Sequence, residues 1–186
     1  MKKEISQQKQ QKGFTIIETL VAVTILMISI TGPLVIASKG LTGAILAHDQ
    51  ATAAYLGQDA VEYVKNERDF NEIQLASGSS GTSSWLQGFS TCSSASKCSV
   101  DTINGNPFVY ANNGITGCSG ATCVLYLGAN GYAPGSTNGT ATKFSRDFYL
   151  KNTSANETTL VVEVTWLNGT VSNTIVFEDE LFNIHI

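Results

Sequence analysis

The sequence predicts an α+β fold, in which a long N-terminal α-helix packs on a small C-terminal antiparallel β-sheet. The chain has an almost unbroken apolar run near its N-terminus, an amphipathic helical pattern directly after it, and alternating apolar residues around Asn168-Gly169. Between helix and sheet, a Gly/Ser-rich stretch holds all four cysteines and predicts a disulfide-bearing loop insert. The predicted segments are a polar leader at 1–13, an apolar helix at 14–37, its amphipathic continuation at 38–73, a Gly/Ser/Cys-rich loop region at 74–142 and the β-sheet at 143–186.

Charged residues are few and unevenly distributed. They make up 14% of the 186 residues, against about 25% in typical soluble domains. Four of the 11 basic residues lie in the first 13 positions, so the rest of the chain has seven basic and 14 acidic side chains. This acidic remainder has no basic patch, and we expect no nucleic-acid partner.

Residues 14–37 are apolar except for Glu18. The 23 residues from Phe14 to Ile36 would form a helix about 35 Å long, enough to cross a hydrocarbon core of about 30 Å. The lysines before this run place the N-terminus in the cytoplasm and the remainder outside the inner membrane. A plain signal anchor or a signal peptide cut after Ala37 would gain nothing from Glu18, because a carboxylate at the centre of such a helix costs about 2.5–3.5 kcal/mol.

A short motif at the start of the apolar run accounts for this carboxylate. Residues 12–18, KGFTIIE, resemble the cleavage and methylation site of type IV prepilins. The resemblance implies that an inner-membrane prepilin peptidase and methyltransferase cuts after Gly13 and methylates the new amine of Phe14. It also implies that Glu18 pairs with the Phe14 amine of a neighbouring subunit during assembly. Residues 14–37 would then lie in membrane lipid before assembly and in the filament core afterwards.

The remainder of the helix carries two further features. Gly32-Pro33 predicts a bend or local opening, which is either a tolerated kink or a segment that extends when a filament forms. After it, apolar residues recur near the helical period, and the charges fill the other face. The apolar set is Leu41, Ile45, Leu56, Ala60 and Val64. The small-residue and acidic pattern that ends at Arg68-Asp69 resembles the helix of PilV-type minor pilins.

The cysteines are expected to form disulfides. Their even number, beyond an export signal, fits an oxidising compartment. Zinc is the alternative, but the spacing of Cys92 and Cys98 fits a zinc site poorly, and that of Cys118 and Cys123 only at its upper limit. Four cysteines allow three connectivities, and the simplest is local, Cys92 with Cys98 and Cys118 with Cys123. Short extended pieces are predicted nearby at 106–110 and 123–127.

The C-terminal segment predicts three antiparallel strands. Asn168-Gly169 is expected to be the two-residue loop of a hairpin, which would set Trp166 opposite Val171 and Leu160 opposite Phe177. A preceding strand at 144–150 alternates apolar and polar residues around Arg146, and the amphipathic helix is the available cover for the apolar face. This strand order also resembles PilV-type minor pilins and type II secretion minor pseudopilins.

The sequence contains few candidate motifs for catalysis or ligand binding. There is no nucleophile elbow and no P-loop, and the two histidines, His48 and His185, are poorly placed for catalysis. Asp101, Asn104 and Asn106 have too few carboxylates for a calcium loop and predict a turn. Four Asn-X-Thr/Ser sequences, at Asn138, Asn152, Asn156 and Asn168, arise easily in a chain so rich in Asn and Thr.

The expected function is therefore non-enzymatic, with no cofactor and no metal site. The chain is expected to be a type IV pilin-like structural subunit, a minor pilin of a cell-surface filament. The alternative is a minor pseudopilin in the periplasmic fibre of a type II secretion system. Its partners would be the prepilin peptidase, other pilin subunits and the pilus or secretion assembly machinery.

Overall fold

The computed structural model describes residues 13–78, 81–105, 113–135 and 139–184. The predicted leader before Gly13, the extended piece at 106–110, Asn106, Asn138 and His185 lie outside these ranges. The chain forms two compact units, one up to Leu46 and one from Ala47 onward. A single α-helix, α1 (Ile16–Ala76), contributes residues to both.

In the first unit, the apolar side chains of α1 are exposed to the surroundings, including Leu41 and Ile45. This part of α1 is long and apolar enough to cross a membrane. Its threonine hydroxyls donate to carbonyls of their own helix, as Thr24 does to Val21 at 2.8 Å. The helix continues through Gly32 and Pro33 without interruption, so a bend or opening there on assembly stays a prediction.

The second unit contains a seven-stranded sheet. Its strands are β1 (Cys98–Val100), β2 (Ile115–Gly117), β3 (Val124–Gly128), β4 (Gly131–Pro134), β5 (Thr140–Lys151), β6 (Glu157–Asn168) and β7 (Val171–Phe182), with a 3₁₀ turn at Gly120–Cys123 before β3. The ladders between these strands are all antiparallel. β5 pairs with β6 along one edge and with β1 and β3 along the other, and β7 pairs with β6.

The second unit closes its core between α1 and the sheet. Ala53, Leu56, Ala60 and Val64 are buried, and they pack against alternate residues of β5 and β6. The buried strand residues are Phe144, Phe148, Leu150, Leu160, Val162, Val164 and Trp166. The predicted α+β fold, with the amphipathic helix covering an antiparallel sheet, is therefore confirmed.

The register of the β6–β7 hairpin corrects the prediction. Trp166 lies opposite Asn173 and Leu160 opposite Asp179, so each partner is two residues further along than expected. The loop is Gly169-Thr170, because Asn168 pairs with Val171. Gly169 has φ of 63°, and Asn152 is the one non-glycine residue with positive φ in the described ranges. Glycine is thus the first central residue of the observed loop, as a type II′ turn requires. The predicted loop, Asn168-Gly169, would instead be a type I′ turn and would need positive φ at Asn168. A shift of two residues leaves every side chain on its predicted face.

The region between α1 and β5 also has more regular structure than the sequence indicates. It holds β1–β4 in addition to loops, and β5 begins at Thr140. Strands of three to five residues are too short to show a period of two clearly in the sequence. β1 and β3 form along the edge of β5, where backbone groups would otherwise be unpaired, and β2 and β4 pair in turn with β1 and β3.

Candidate functional site

The predicted processing site lies at the beginning of α1. Gly13 precedes the helix, and nothing lies within 4 Å of the position where a Cβ would be on it. Phe14 is 81% exposed. The bond between the two residues is therefore open to a peptidase.

Thr15 caps the helix. Its hydroxyl accepts from the backbone N–H of Glu18 at 3.3 Å, and its carbonyl accepts from the N–H of Thr19 at 3.2 Å. Residues 15–18, TIIE, also have the spacing of a capping box. The sequence analysis missed this cap, although Thr followed by Glu three residues later is a recognisable signal of a helix start.

The position of Glu18 at the start of α1 lowers the cost of its charge. The carboxylate lies in the first turn of α1, where the positive end of the helix dipole stabilises a negative charge by about 0.3–1 kcal/mol. An ammonium group on Phe14 would meet the same dipole end and be destabilised. The helix dipole therefore offsets part of the free-energy cost of placing the Glu18 charge in apolar surroundings. Because the same dipole disfavours a charged Phe14 amine, that amine would need a carboxylate partner.

Apolar side chains surround this carboxylate along the helix. Among the described residues between Phe14 and Ile36, the large apolar side chains exposed by about half or more are Phe14, Ile16, Ile17, Leu20, Val21, Val23, Ile25, Leu26, Met27, Ile28, Ile30, Leu34, Val35 and Ile36. Such a surface requires lipid or protein around it.

The two disulfides have the local pairing that the sequence favours. Cys92 is bonded to Cys98 with the Cα atoms 5.5 Å apart, and Cys118 to Cys123 with the Cα atoms 5.2 Å apart. The first disulfide is buried in the core, and the carbonyl of Cys92 accepts from the N–H of Leu150 at 2.9 Å. The backbone N–H of Cys118 donates to Lys97 at 2.9 Å. The first disulfide thus fixes the start of β1 to the segment that contacts β5, and the second joins the end of β2 to the start of β3.

Arg146 links three elements and was not singled out from the sequence. It is 1% exposed, and its guanidinium donates to the Leu56 carbonyl and the Asp59 carboxylate of α1, both at 2.9 Å, and to the Val100 carbonyl of β1 at 2.8 Å. Burial lowers the pKa of Arg146, and the hydrogen bond and charge of Asp59 oppose that shift. An arginine between aromatic residues on an inward-facing strand position was the available signal.

The outer face of the sheet carries a compact ion network. Asp147 and Glu163 lie directly opposite each other on β5 and β6, which alone would be repulsive. Lys97 forms ion pairs with both, its Nζ lying 2.8 Å from Asp147 Oδ1, and it lies 5.3 Å from the ring centre of Tyr149. Burial lowers the pKa of Lys97, but its two carboxylate partners outweigh that effect and raise it.

His48 lines an open groove of ≈ 490 Å³ together with Tyr55, Asp59 and Tyr132. In the same groove the Thr102 hydroxyl donates to the Asp59 carboxylate at 2.6 Å. Within the described ranges no group of three His, Cys, Asp or Glu side chains could hold a metal ion. Asp101 forms a turn, as expected: its Oδ1 accepts from the N–H groups of Ile103 and Asn104 at 3.0 and 2.8 Å.

Comparison with known proteins identifies one family model. Residues 8–32 match the prokaryotic N-terminal methylation motif. This segment includes the KGFTIIE sequence and most of the apolar run, and the match indicates a type IV pilin-like prepilin that a peptidase processes. No curated protein and no solved structure matches the chain.

Proposed function

We propose that this chain is a minor pilin: a structural subunit that is cut after Gly13, methylated at Phe14 and assembled through α1 into a cell-surface filament. The observation that carries the proposal is the methylation motif, followed by an exposed apolar helix with Glu18 as its single charge from Phe14 to Ile36.

Processing creates the partner that Glu18 lacks. Cleavage after Gly13 would place a charged amine one residue before the Thr15 cap. In the apolar interior of a filament, that amine and the Glu18 carboxylate of a neighbouring subunit would attract each other. At a separation of about 4 Å and an effective dielectric constant of about 20, the attraction is about 4 kcal/mol. Each charge would otherwise be buried alone at a high cost.

The second unit would be the exported part. Its two disulfides suit an oxidising compartment, and its side chains carry the acidic excess. The alternative, a minor pseudopilin of a type II secretion system, would use the same helix in a periplasmic fibre. The two proposals differ in whether the subunit reaches the cell surface.

The experiment compares three variants in the native host. Gly13→Ala should block cleavage, so that the chain stays in the membrane at its full length. Glu18→Gln should be cleaved normally, but its amount in sheared surface filaments should fall at least about tenfold, which corresponds to a loss of about 1.4 kcal/mol. Thr24→Val is the control, because the Thr24 hydroxyl bonds to its own helix, and it should behave as the wild type.

Two results would contradict the proposal. One is a Gly13→Ala chain that is still trimmed after residue 13 and assembled. The other is unchanged incorporation of Glu18→Gln, which would show that Glu18 has no intersubunit partner. A processed chain that stays in the periplasm and is needed for secretion would instead support the pseudopilin.

A further inference from the structure

A carboxylate is buried on α1 without a counter-charge. Glu67 is 0% exposed. Its Oε1 accepts a hydrogen bond from the side-chain amide of Asn113 at 3.3 Å, and its Oε2 is buried with no hydrogen-bond partner. A buried carboxylate without a full set of donors is costly when ionised and much less so when protonated.

The loop of residues 81–89 lies directly over this carboxylate. Gly88 has φ of 92°, and a Cβ on it would lie 3.2 Å from Glu67 Oε1 and 2.3 Å from Asn113 Nδ2. The side-chain amide of Asn71, one turn further along α1, donates to the Trp85 and Gln87 carbonyls of this loop at 3.2 and 2.9 Å. The loop is thus held against α1 by the hydrogen bonds of Asn71, one turn away from Glu67.

The same loop supplies part of the core. Trp85, Leu86 and Phe89 are at most 6% exposed and pack in one cluster with Val64 and the Cys92–Cys98 disulfide. Releasing the loop would therefore expose three large apolar side chains.

Among the described residues, the segments packed around Glu67 offer it no positive charge. The 81–89 loop and residues 113–119 contain no acidic or basic side chain. On α1, Tyr63 donates to the Asn113 carbonyl, and the neighbouring Arg68 is engaged by Asp69 and by the Phe182 carbonyl. Asp101 acts on Tyr63: burial, then Glu67 and then Asp101 raise the pKa of Tyr63 to about 12.

We propose that Glu67 is a proton-operated latch on the exported domain: when protonated it holds the 81–89 loop and Asn113 on α1, and when ionised it releases them. The geometry that carries the proposal is a fully buried carboxyl group whose Oε2 has no hydrogen-bond partner and whose Oε1 lies between the Asn113 amide and Gly88 of the loop. The released loop would present Trp85, Leu86 and Phe89 to the surroundings.

The direction of the pH effect follows from linkage. Burial raises the pKa of Glu67 from 4.5 to about 7, although the Asn113 hydrogen bond opposes the shift. The closed loop therefore binds the proton more tightly than the open loop. Its stabilisation is complete below the ordinary pKa, declines as the pH rises, and has been lost once the pH passes about 7. This rise in the pKa of Glu67 sets an upper limit of ~300-fold on the pH-dependent change in the ratio of closed to open loop.

Hydrogen exchange on the full-length chain in detergent micelles tests the latch. Between about pH 4.5 and about pH 8, after correction for intrinsic exchange, protection of the amides in 81–92 should fall by up to ~300-fold. Amides of β6 in the same sample serve as the internal reference and should change much less. Glu67→Gln cannot ionise and should keep its protection across this range.

Glu72→Gln is the matched control. Glu72 is also a buried α1 carboxylate with one unpartnered oxygen, but it contacts the Ile184 N–H instead of the loop, so its replacement should leave the pH effect in place. Protection of 81–92 that is constant with pH in the wild type overturns the proposal, whether or not Glu67→Gln folds. A loss of protection that persists in Glu67→Gln also overturns it.

Discussion

At the scale of single residues, Gly57 is a point of close approach between the helix and the sheet. A Cβ on this residue would lie 2.1 Å from Phe177 Cε2. The aromatic ring therefore occupies the space that any other side chain at position 57 would need. The close contact fixes the distance between α1 and β7 within the second unit.

Gly57→Ala should destabilise the protein by about 1–3 kcal/mol, because overpacking against Phe177 outweighs the gain of about 1 kcal/mol in helix propensity. Gly43→Ala, in the same helix with nothing within 4 Å of the added Cβ, should be neutral or stabilising. Urea unfolding in detergent measures both. Adding Phe177→Leu to Gly57→Ala should recover part of the loss, and a Gly57→Ala chain as stable as the wild type would contradict the close contact.

Arg146 is the second residue on which the domain depends. Arg146→Met removes three donors at once and leaves the Val100 carbonyl without this partner, so the free energy of unfolding should fall by about 3 kcal/mol. Arg146→Lys should recover little, because a single ammonium cannot reproduce the planar fork. The control is Lys151→Met, whose ion pair with Glu178 is largely exposed and should matter little. A small effect of Arg146→Met in the same unfolding experiment would show that the three hydrogen bonds are not maintained in solution.

At the scale of elements, the disulfides are the clearest source of differences in stability. The two cysteine pairs are separated by six and five residues, and loop closure predicts a contribution of about 2 kcal/mol for each. Replacing Cys92 and Cys98 together by Ala should cost more than that, because both are also core residues. Replacing Cys118 and Cys123 should cost closer to about 2 kcal/mol, since Cys118 is only half-buried. Equal losses in the two double variants would contradict the difference in packing.

Elements with a long, regular sequence pattern were predicted, whereas short strands that depend on pairing with a neighbouring strand were missed. The apolar run, the amphipathic helix and the alternation in β5 and β6 all showed in the sequence. The short strands β1, β2 and β4 did not, because their residues become strands only beside β5 and β3. The hairpin at Asn168 was correct in kind but two residues off in register, because the conformation of Gly169 decides which pair of residues forms the turn.

The residues of the candidate site also differ in whether the sequence alone could single them out. Gly13, Phe14 and Glu18 stand in a local motif, so the sequence alone singles them out. Arg146 and Glu67 acquire their roles only through partners that are distant in sequence, such as Val100 and Asn113. For Arg146 its place among inward-facing aromatic residues was a usable signal, but its partners were not predictable, and a glutamate in an amphipathic helix is indistinguishable from an ordinary surface charge.

At the scale of the whole molecule, the surfaces of the two units suit different surroundings. From Phe14 to Leu46 the first exposes a continuous apolar helix with Glu18 as the one carboxylate in that range, and it requires lipid or neighbouring subunits. The second has its own core, two disulfides and an acidic surface. This division suits a subunit whose helix is held in a membrane before it packs among other subunits.

The central claim is that processing prepares this chain for assembly into a surface filament. The most direct measurement is mass spectrometry of the N-terminal peptide from subunits sheared off the cell surface, compared with the membrane-bound form. The account predicts a surface form that begins at Phe14, one methyl group heavier than the unmodified peptide, and absent from cells that lack the prepilin peptidase. A surface form that retains the leader, or one that begins after Ala37, would contradict it.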